Sequence, residues 1–324
     1  MSEYPERYVR IGHETTWGDY SSPASFDPVN FCLGFDATTT EERIEEDVVA
    51  TSRQVRSRVW VQRAVIGAVE ANIFSPRMLY YALGWASAPD SASPYTVELR
   101  GSLNLPSFAI ERGLRGDSDT VYTGYMGCKV DRYELLIERE EDIIQTIDWL
   151  GADSTFPSYA AWNTVATTIA IPTDPYAYHQ ACLIWGSATI LLHRFRLEIN
   201  NNLVPRYAGS CASGSPGAMA IVEGLQAITG DFIVDKDLAD FADTATRGRQ
   251  EGTIIVRLET DTRGTMEITI NNVALDEYAD SLRGMEVYET TFPWVARPSS
   301  FNSYDAITVV HTSTIAGTIH DFDI

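Results

Sequence analysis

Lysine is almost absent from this chain, and that shortage is the first informative feature of its composition. The 324 residues include 24 lysines and arginines against 45 aspartates and glutamates, and only Lys129 and Lys236 are lysines. The formal net charge is −21. Molar salt shortens the Debye length to about 3 Å and so removes most of the self-repulsion of such a chain. The composition favours a protein adapted to a salt-filled cell, since an ordinary acidic protein keeps more lysine. It argues against nucleic-acid binding as the main task, because phosphate contacts need clustered cations.

The sequence also lacks a long hydrophobic run and any closely spaced cysteines. No stretch of eighteen apolar residues occurs, so no membrane-spanning helix is predicted. The first seven residues are mixed in charge and have no apolar core, which predicts that they are not a secretory signal. The cysteines are free thiols or small buried hydrophobes by this reasoning, rather than a disulfide framework or zinc site. They are Cys32, Cys128, Cys182 and Cys211.

Motifs of common enzymes are missing as well. The chain has no GxxxxGK[ST] phosphate loop, no GxSxG nucleophile turn and no helical zinc-protease motif after His13-Glu14. The acidic clusters at 41–47 and 140–142 lack the alternating pattern of a calcium loop, and we interpret them as solvated faces. The sequence therefore predicts no catalytic, cofactor-binding or metal site. Paired carboxylates in a cleft are the alternative that it leaves open.

Alternating apolar and polar residues predict a mainly β protein. Strands are expected at 55–61, 65–73, 95–99, 108–111, 127–138, 143–149, 253–259 and 266–270, with a hairpin turn at 139–142. One helix is expected between Ser75 and Gly84, with Ser75 as its cap, Pro76 in its first turn and Gly84 at its end.

Two sequence landmarks recur in the second half. The segment around Gly67 resembles that around Gly230, and Gly127–Val130 resembles Gly284–Val287. A short helical pattern at 237–242 follows the segment around Gly230, just as the helix expected at 75–84 follows the segment around Gly67. The pattern indicates two related β-sandwich or barrel-like units, each with a flanking short α-helix. The expected division is an N-terminal arm at 1–40, a first unit at 41–155, a connector at 156–187 and a second unit at 188–324.

Several short motifs resemble those of tail tube proteins of long-tailed viruses. Ile11–Gly18 (IGHETTWG) is similar to the opening of that family, Leu105–Gly113 (LPSFAIERG) to a strand, and Tyr122–Val130 (YTGYMGCKV) to the next strand entry. The return strand at 135–151 and Phe292–Ala296 (FPWVA) follow in family order. The chain is thus identified as resembling a major tail protein, here of a haloarchaeal tailed virus.

The resemblance implies a structural protein of the virion tail, made in the host cytoplasm and without enzymatic activity or membrane contact. Its subunits would join their sheets into rings that stack into the tube for genome delivery. Two units per chain favour a trimer with pseudo-sixfold symmetry, with a hexamer as the alternative. Further partners would be other tail proteins at the tube ends, and a tape measure protein or DNA in the lumen. The arm, the loop at 85–95 and the aromatic residues Trp17, Phe26 and Trp85 are candidate inter-subunit contacts.

Two other functions are compatible with the same composition. A surface adhesin of repeated β-domains would also be β-rich, and it would require a secretory signal. A halophilic enzyme with a cryptic carboxylate site would be a monomer or dimer with a metal or substrate requirement. Both remain alternatives at the level of sequence.

Overall fold

The fold was analysed in a computed structural model of the whole chain. The structure describes residues 7–19, 26–29, 32–46, 57–90, 93–115, 120–155, 175–185, 188–207, 217–235, 252–260, 264–275, 279–281, 289–300, 303 and 305–313. The second predicted helix at 237–242, the Gly284–Val287 landmark and Cys211 lie outside these residues.

The described residues form twenty-one strands, one α-helix and one 3-10 turn. In chain order they are β1 Arg7–His13, β2 Asp27–Pro28, β3 Cys32–Glu46, β4 Ser57–Asn72, α1 Arg77–Leu83, β5 Gly84–Ala86, β6 Tyr95–Gly101, β7 Phe108–Arg115, β8 Thr120–Glu138, β9 Ile144–Gly151, β10 Asp153–Ser154, the 3-10 turn Tyr178–Gln180, β11 Ala181–Trp185, β12 Ala188–Ile190, β13 Leu192–Asn200, β14 Val204–Arg206, β15 Ala220–Val222, β16 Ala227–Asp235, β17 Gly252–Thr260, β18 Gly264–Leu275, β19 Ala279–Ser281, β20 Glu289–Val295 and β21 Ile307–Ser313.

The predicted mainly β fold with a short helix is confirmed. The two strands expected between residues 55 and 73 are one continuous strand, β4. The strand expected at 127–138 is part of the longer strand β8. Helix α1 ends at Gly84, whose φ of 102° places it in the left-handed region, as predicted. The prediction that Ser75 caps the helix is wrong, because Pro76 holds the cap position and no side chain bonds to the first turn.

Three antiparallel sheets share long strands that pass from one sheet to another. The main sheet has the order β3, β4, β9, β8, β13, β16, β20, with β18 and β19 along its last edge. The second sheet has the order β12, β11, β17, β18, β21, β6, β5. The third has the order β2, β1, β7, β8, β10. Apolar side chains of all three sheets meet in one core cluster.

The same pairing scheme occurs twice along the chain. Strands β1, β2, β3, β4, β7, β8 and β9 correspond in order to β11, β12, β13, β16, β17, β18–β19 and β20. Each pair in the first set has a counterpart in the second with the same register. The correspondence includes irregularities, because the bulge after Cys32 recurs after Leu192 and the bulge after Phe108 recurs after Gly252.

A glycine under a tryptophan marks the same place in both sets. Gly67 lies opposite Trp149 in β9, and Gly230 lies opposite Trp294 in β20. A Cβ atom on either glycine would overlap the indole across from it. A phenylalanine of the adjoining strand stacks on each indole, with ring centroids 6.5 Å apart for Phe35–Trp149 and 5.9 Å apart for Phe195–Trp294. The landmark around Gly67 and Gly230 was therefore correctly paired from sequence.

The second sequence landmark was paired with the wrong residue. The constant register places Asn272, and not Gly284, at the position of Gly127. Gly127 has a φ of 60° and Asn272 has a φ of 49°, so both adopt the left-handed conformation beside a bulge. Asparagine tolerates that conformation better than other side chains, which explains why the glycine was not repeated.

Two segments that were expected to lie outside the units contain paired strands. Residues 7–13, expected in an arm, form β1 and pair along their whole length with β7. Residues 181–185, expected in a connector, form β11 and pair with β17. Both segments are short and interrupted by prolines or polar residues nearby, so their partners in sequence-distant strands are what defines them as β structure.

We expect Gly67→Ala and Gly230→Ala each to lower the free energy of unfolding by about 1–3 kcal/mol, because the added methyl group forces the tryptophan out of place. Thermal or chemical unfolding in molar salt measures the loss. Gly34→Ala is the matched control in the same sheet, since a Cβ there meets only the Glu70 Cβ at 3.7 Å. A control as unstable as the two variants would contradict the explanation.

His311 lies in the centre of the second sheet, between Val97 and Met266 on the two neighbouring strands. Burial lowers the pKa of its imidazole from 6.5 to about 4. The unfolded chain therefore binds more protons between these two pH values, and stability falls as the pH drops through that window. The full loss is about 3 kcal/mol at 1.36 kcal/mol per pKa unit.

The measurement is the free energy of unfolding of the protein and of His311→Leu between pH 7 and pH 4. The difference between the two curves should grow by that amount as the pH falls. Exposed His179 serves as the control through His179→Gln. Parallel curves for the protein and His311→Leu would refute the assignment.

Candidate assembly interface

The two sets of strands are joined edge to edge in the main sheet. Strand β8, the edge strand of the first set in the main sheet, pairs with β13 from Arg132 opposite Asn200 to Glu138 opposite Arg194. We call this pairing the internal seam. It shows how an edge of one unit accepts an edge of the next, and it makes the main sheet continuous across both units.

Charged side chains cross the internal seam on the outer face of the main sheet. Arg196 Nε lies 2.8 Å from Glu134 Oε1, Arg132 Nε lies 2.9 Å from Glu198 Oε1, and Arg132 Nη2 lies 2.5 Å from Glu134 Oε2. Asp148 adds a carboxylate 3.5 Å from Arg132 Nη1. The Arg132 hydrogen bond lowers the pKa of the Glu198 carboxyl. Networks of this kind contribute more than isolated surface pairs.

Two edges of the main sheet are open within the described residues. Strand β3 pairs only with β4, and β19 pairs only with β20. Unpaired strand edges carry rows of backbone donors and acceptors that can pair with another chain. The side chains of Asp36, Thr38 and Thr40 along β3 are exposed. These edges lie at opposite ends of the sheet, so one chain presents two different surfaces.

Strands β14 and β15 extend the hairpin formed by β13 and β16, and this outer part folds back onto the first unit. Strands β14 and β15 form a small sheet of their own, with Val204 opposite Val222. That pair has the register of Ile44 opposite Val59 in the first hairpin. Buried Leu203 and Ile221 pack against Leu105 in a small apolar cluster.

Polar contacts hold this outer hairpin in place. Lys129 Nζ lies 2.5 Å from Glu223 Oε1, and the Leu203 amide donates to Asp131 Oδ1 at 2.7 Å. The buried Asn201 side chain donates to the carbonyl oxygens of Ala82 and Val130. One of the two lysines of the chain thus serves a contact between the units.

Three of the quoted sequence motifs converge on one buried carboxylate. Glu14 Oε1 accepts from the Gly127 amide at 2.8 Å, and Glu14 Oε2 accepts from the Gly18 amide at 3.2 Å. The Glu14 amide donates to the Ser107 carbonyl oxygen at 3.1 Å. Burial raises the pKa of the Glu14 carboxyl, and the two amides act in the opposite direction. The Glu14 carboxylate thus ties the segment after β1 to Gly127 in β8, and the Glu14 amide ties it to Ser107 before β7, which is a structural role.

The predicted contact residues lie in three different environments. Trp17 is half-buried, donates from Nε1 to the Gly127 carbonyl at 3.2 Å and packs against the cluster under β14–β15. Phe26 is 1% exposed inside its own chain, so little of its side chain is left for another subunit. Trp85 is half-buried on the edge strand β5, with the Arg100 guanidinium 3.9 Å from its ring centroid.

Sequence reasoning missed the charged residues of the internal seam. Their signal was available, because Arg132 and Glu134 alternate with buried Tyr133 and Leu135. It could not be used without knowing that β13 is the neighbouring strand.

Other kinds of site receive no support from the described part of the chain. No group of three or more histidine, cysteine, aspartate or glutamate side chains there could hold a metal ion. None of the helices in that part is long and apolar enough to span a membrane. Cys32, Cys128 and Cys182 are free cysteines.

Replacement of the buried carboxylate gives a direct test of its structural role. We expect Glu14→Ala to lower the free energy of unfolding by about 2–4 kcal/mol, because two backbone amides lose their acceptor. Exposed Glu141 is the control, and Glu141→Ala should change stability by less than about 0.5 kcal/mol. Equal melting curves for the protein and Glu14→Ala would contradict the role.

Comparison with known proteins agrees with the motifs that meet at Glu14. A family model described as phage tail tube protein matches residues 6–296. A search of curated proteins found no match. The matched range begins beside β1 and ends beside β20, so it includes both sets of corresponding strands. The chain belongs to the phage tail tube protein family.

Proposed function

We propose that this protein is the subunit that assembles into stacked rings to form the tail tube of a virion. The observation that carries the proposal is the internal seam together with the two open edges of the main sheet. A head-to-tail interface closes into a ring when its repeated rotation adds up to one full turn. In such a ring each chain contributes two units and both edges of the main sheet are paired.

A ring of three chains follows from the two sets of corresponding strands. Three chains supply six similar units, and the internal seam takes the place of every second contact around the ring. A ring of six chains is the alternative, in which the second unit lies outside the inner layer. The equal register of the two sets supports the trimer, because both units keep the strands that a common layer needs.

The outer face of the main sheet is proposed to line the channel. Its described side chains on β3, β4, β8, β9, β13 and β16 include more acids than bases: Asp36, Glu70, Glu134, Glu138, Asp148, Glu198 and Asp231 against Lys129, Arg132, Arg194 and Arg196. A surface of this sign repels phosphate, so DNA would pass without binding. Viral DNA or a tape measure protein would occupy the lumen, and other tail proteins would bind the tube ends.

Contacts between rings are proposed for the segment before residue 40, the loop at 85–95 and Trp85. Trp85 supports this assignment because it is half-buried on an edge strand. Trp17 and Phe26 remain candidates of lower exposure, since their side chains already have neighbours in their own chain. A salt-loving host is proposed from the net charge of −21 and the two lysines.

The assembly predicts a strong dependence of particle size on salt. In molar salt the purified protein should form rings whose mass is a multiple of three chains, and these rings should stack into tubes. Dilution to low salt should dissociate them as repulsion between acidic subunits returns. Mass photometry gives the mass and negative-stain microscopy gives the shape.

Two results would count against the proposal. A single small species at every salt and protein concentration would refute self-assembly. Closed rings of six chains, with one unit of each chain in the inner layer, would reject the trimer and favour the hexamer.

A further inference from the structure

We infer that the β3 edge of one copy pairs with the β18–β19 edge of a second copy in the register that β8 and β13 use within the chain. We call this contact the external seam. The inference rests on the proposed ring, and it names the residues that meet and the property that distinguishes the two kinds of seam. Its occupant is a second copy of this chain.

The two open edges are the counterparts of the two strands in the internal seam. Strand β3 corresponds to β13, because the pair Phe35–Val69 occupies the same position in its hairpin as the pair Phe195–Phe232. The edge formed by β18 and β19 corresponds to the second part of β8. Val130 lies opposite Trp149, and Leu275 lies opposite the corresponding Trp294. Leu135 lies opposite Gln145, and Asp280 lies opposite the corresponding Thr290.

This correspondence fixes the register of the external seam. Within the chain, Glu134 lies opposite Glu198, Leu135 opposite Leu197 and Leu136 opposite Arg196. Transfer of these pairs to the open edges places Ala279 opposite Thr38, Asp280 opposite Ala37 and Ser281 opposite Asp36. Because side chains alternate along a strand, a shift by one residue would turn the outer face of β3 inward, which excludes the odd registers. Among the even registers, this one repeats the pairing of the internal seam.

The external seam lacks the ion pairs of the internal one. Asp36 has the position of Arg196, and Thr38 has the position of Glu198. Ala279 has the position of Glu134. No guanidinium stands at any of these positions, and an exposed carboxylate replaces one. The contact between copies therefore depends on backbone pairing and on screening by salt, whereas the internal seam also has its arginine network.

The missing ion pair can be installed at the external seam. Asp36→Arg together with Ala279→Glu recreates between copies the contact of Arg196 with Glu134, which is 2.8 Å within the chain. Without coupling, the change in the ring-forming concentration of the double variant would be the product of the changes in the two single variants. We expect the double variant to form rings at a concentration at least about fivefold lower than that, since a coupling near one kcal/mol is a factor of about five. Mass photometry across a salt series gives that concentration for the protein and all three variants.

The control pair keeps the size of the new contact and removes its charge. Asp36→Arg combined with Ala279→Gln places a neutral side chain of the same length where the first pair has a carboxylate. The two changes should then combine with little coupling, since the ion pair is missing. Coupling as large as that of the first pair would show that it does not come from the ion pair and would overturn the register.

Disulfide trapping tests the same register without changing charge. A Thr38→Cys chain mixed with an Ala279→Cys chain should give an oxidised heterodimer in the ring, because directly opposed Cα atoms lie within disulfide range. Thr40→Cys is the matched control, since a diagonal separation of about 7–8 Å is too long. Equal yields for Thr38→Cys and Thr40→Cys would exclude the assigned pairing.

The outcomes separate this inference from the proposed function. Rings that form normally while both tests fail would reject the external seam and leave the tube subunit intact. Absence of rings from the unmodified protein at every salt concentration would reject both.

Discussion

Backbone pairing at the edges of the main sheet is the constraint on which the rest of the structure depends. A strand edge must bond to water or to another strand, and long unpaired edges attract other chains. This chain satisfies that requirement once internally, where β8 meets β13, and leaves β3 and β19 open within the described residues. Two different edges on one molecule permit a directional contact, which a closed ring can repeat without leaving an end.

The two sets of strands show which features that architecture keeps and which it lets vary. Both sets keep a glycine beneath a tryptophan and a phenylalanine stacked on it, because a side chain at the glycine would overlap the indole. They keep the same bulges as well. Surface charge has diverged, since Arg196 has Asp36 as its counterpart. Core geometry is thus constrained by both units, while the charges respond to what each edge meets.

The sequence predicted local structure better than it predicted long-range contacts. Alternation located seven of the twenty-one described strands, among them the long strands β4, β8 and β18, and Gly84 marked the end of α1 correctly. The segments that became β1 and β11 have too little periodicity to define themselves, and only their distant partners β7 and β17 make them strands. For the same reason Glu14 and the Arg132 network could not be recognised: a buried carboxylate or an ion pair across strands is defined by residues 62 to 113 positions away.

The acidic composition acquires a specific meaning at the level of the seams. Had every contact been held by arginine–glutamate networks, the protein would assemble in dilute salt and its assembly would gain little from screening. The network is present where two units are covalently joined in one chain, and that seam never has to form by diffusion. At the β3 edge, which is proposed to meet another copy, Asp36 places an exposed carboxylate instead. In the proposed ring, assembly between copies would therefore depend on the ionic medium more strongly than the pairing of the two units within one chain does.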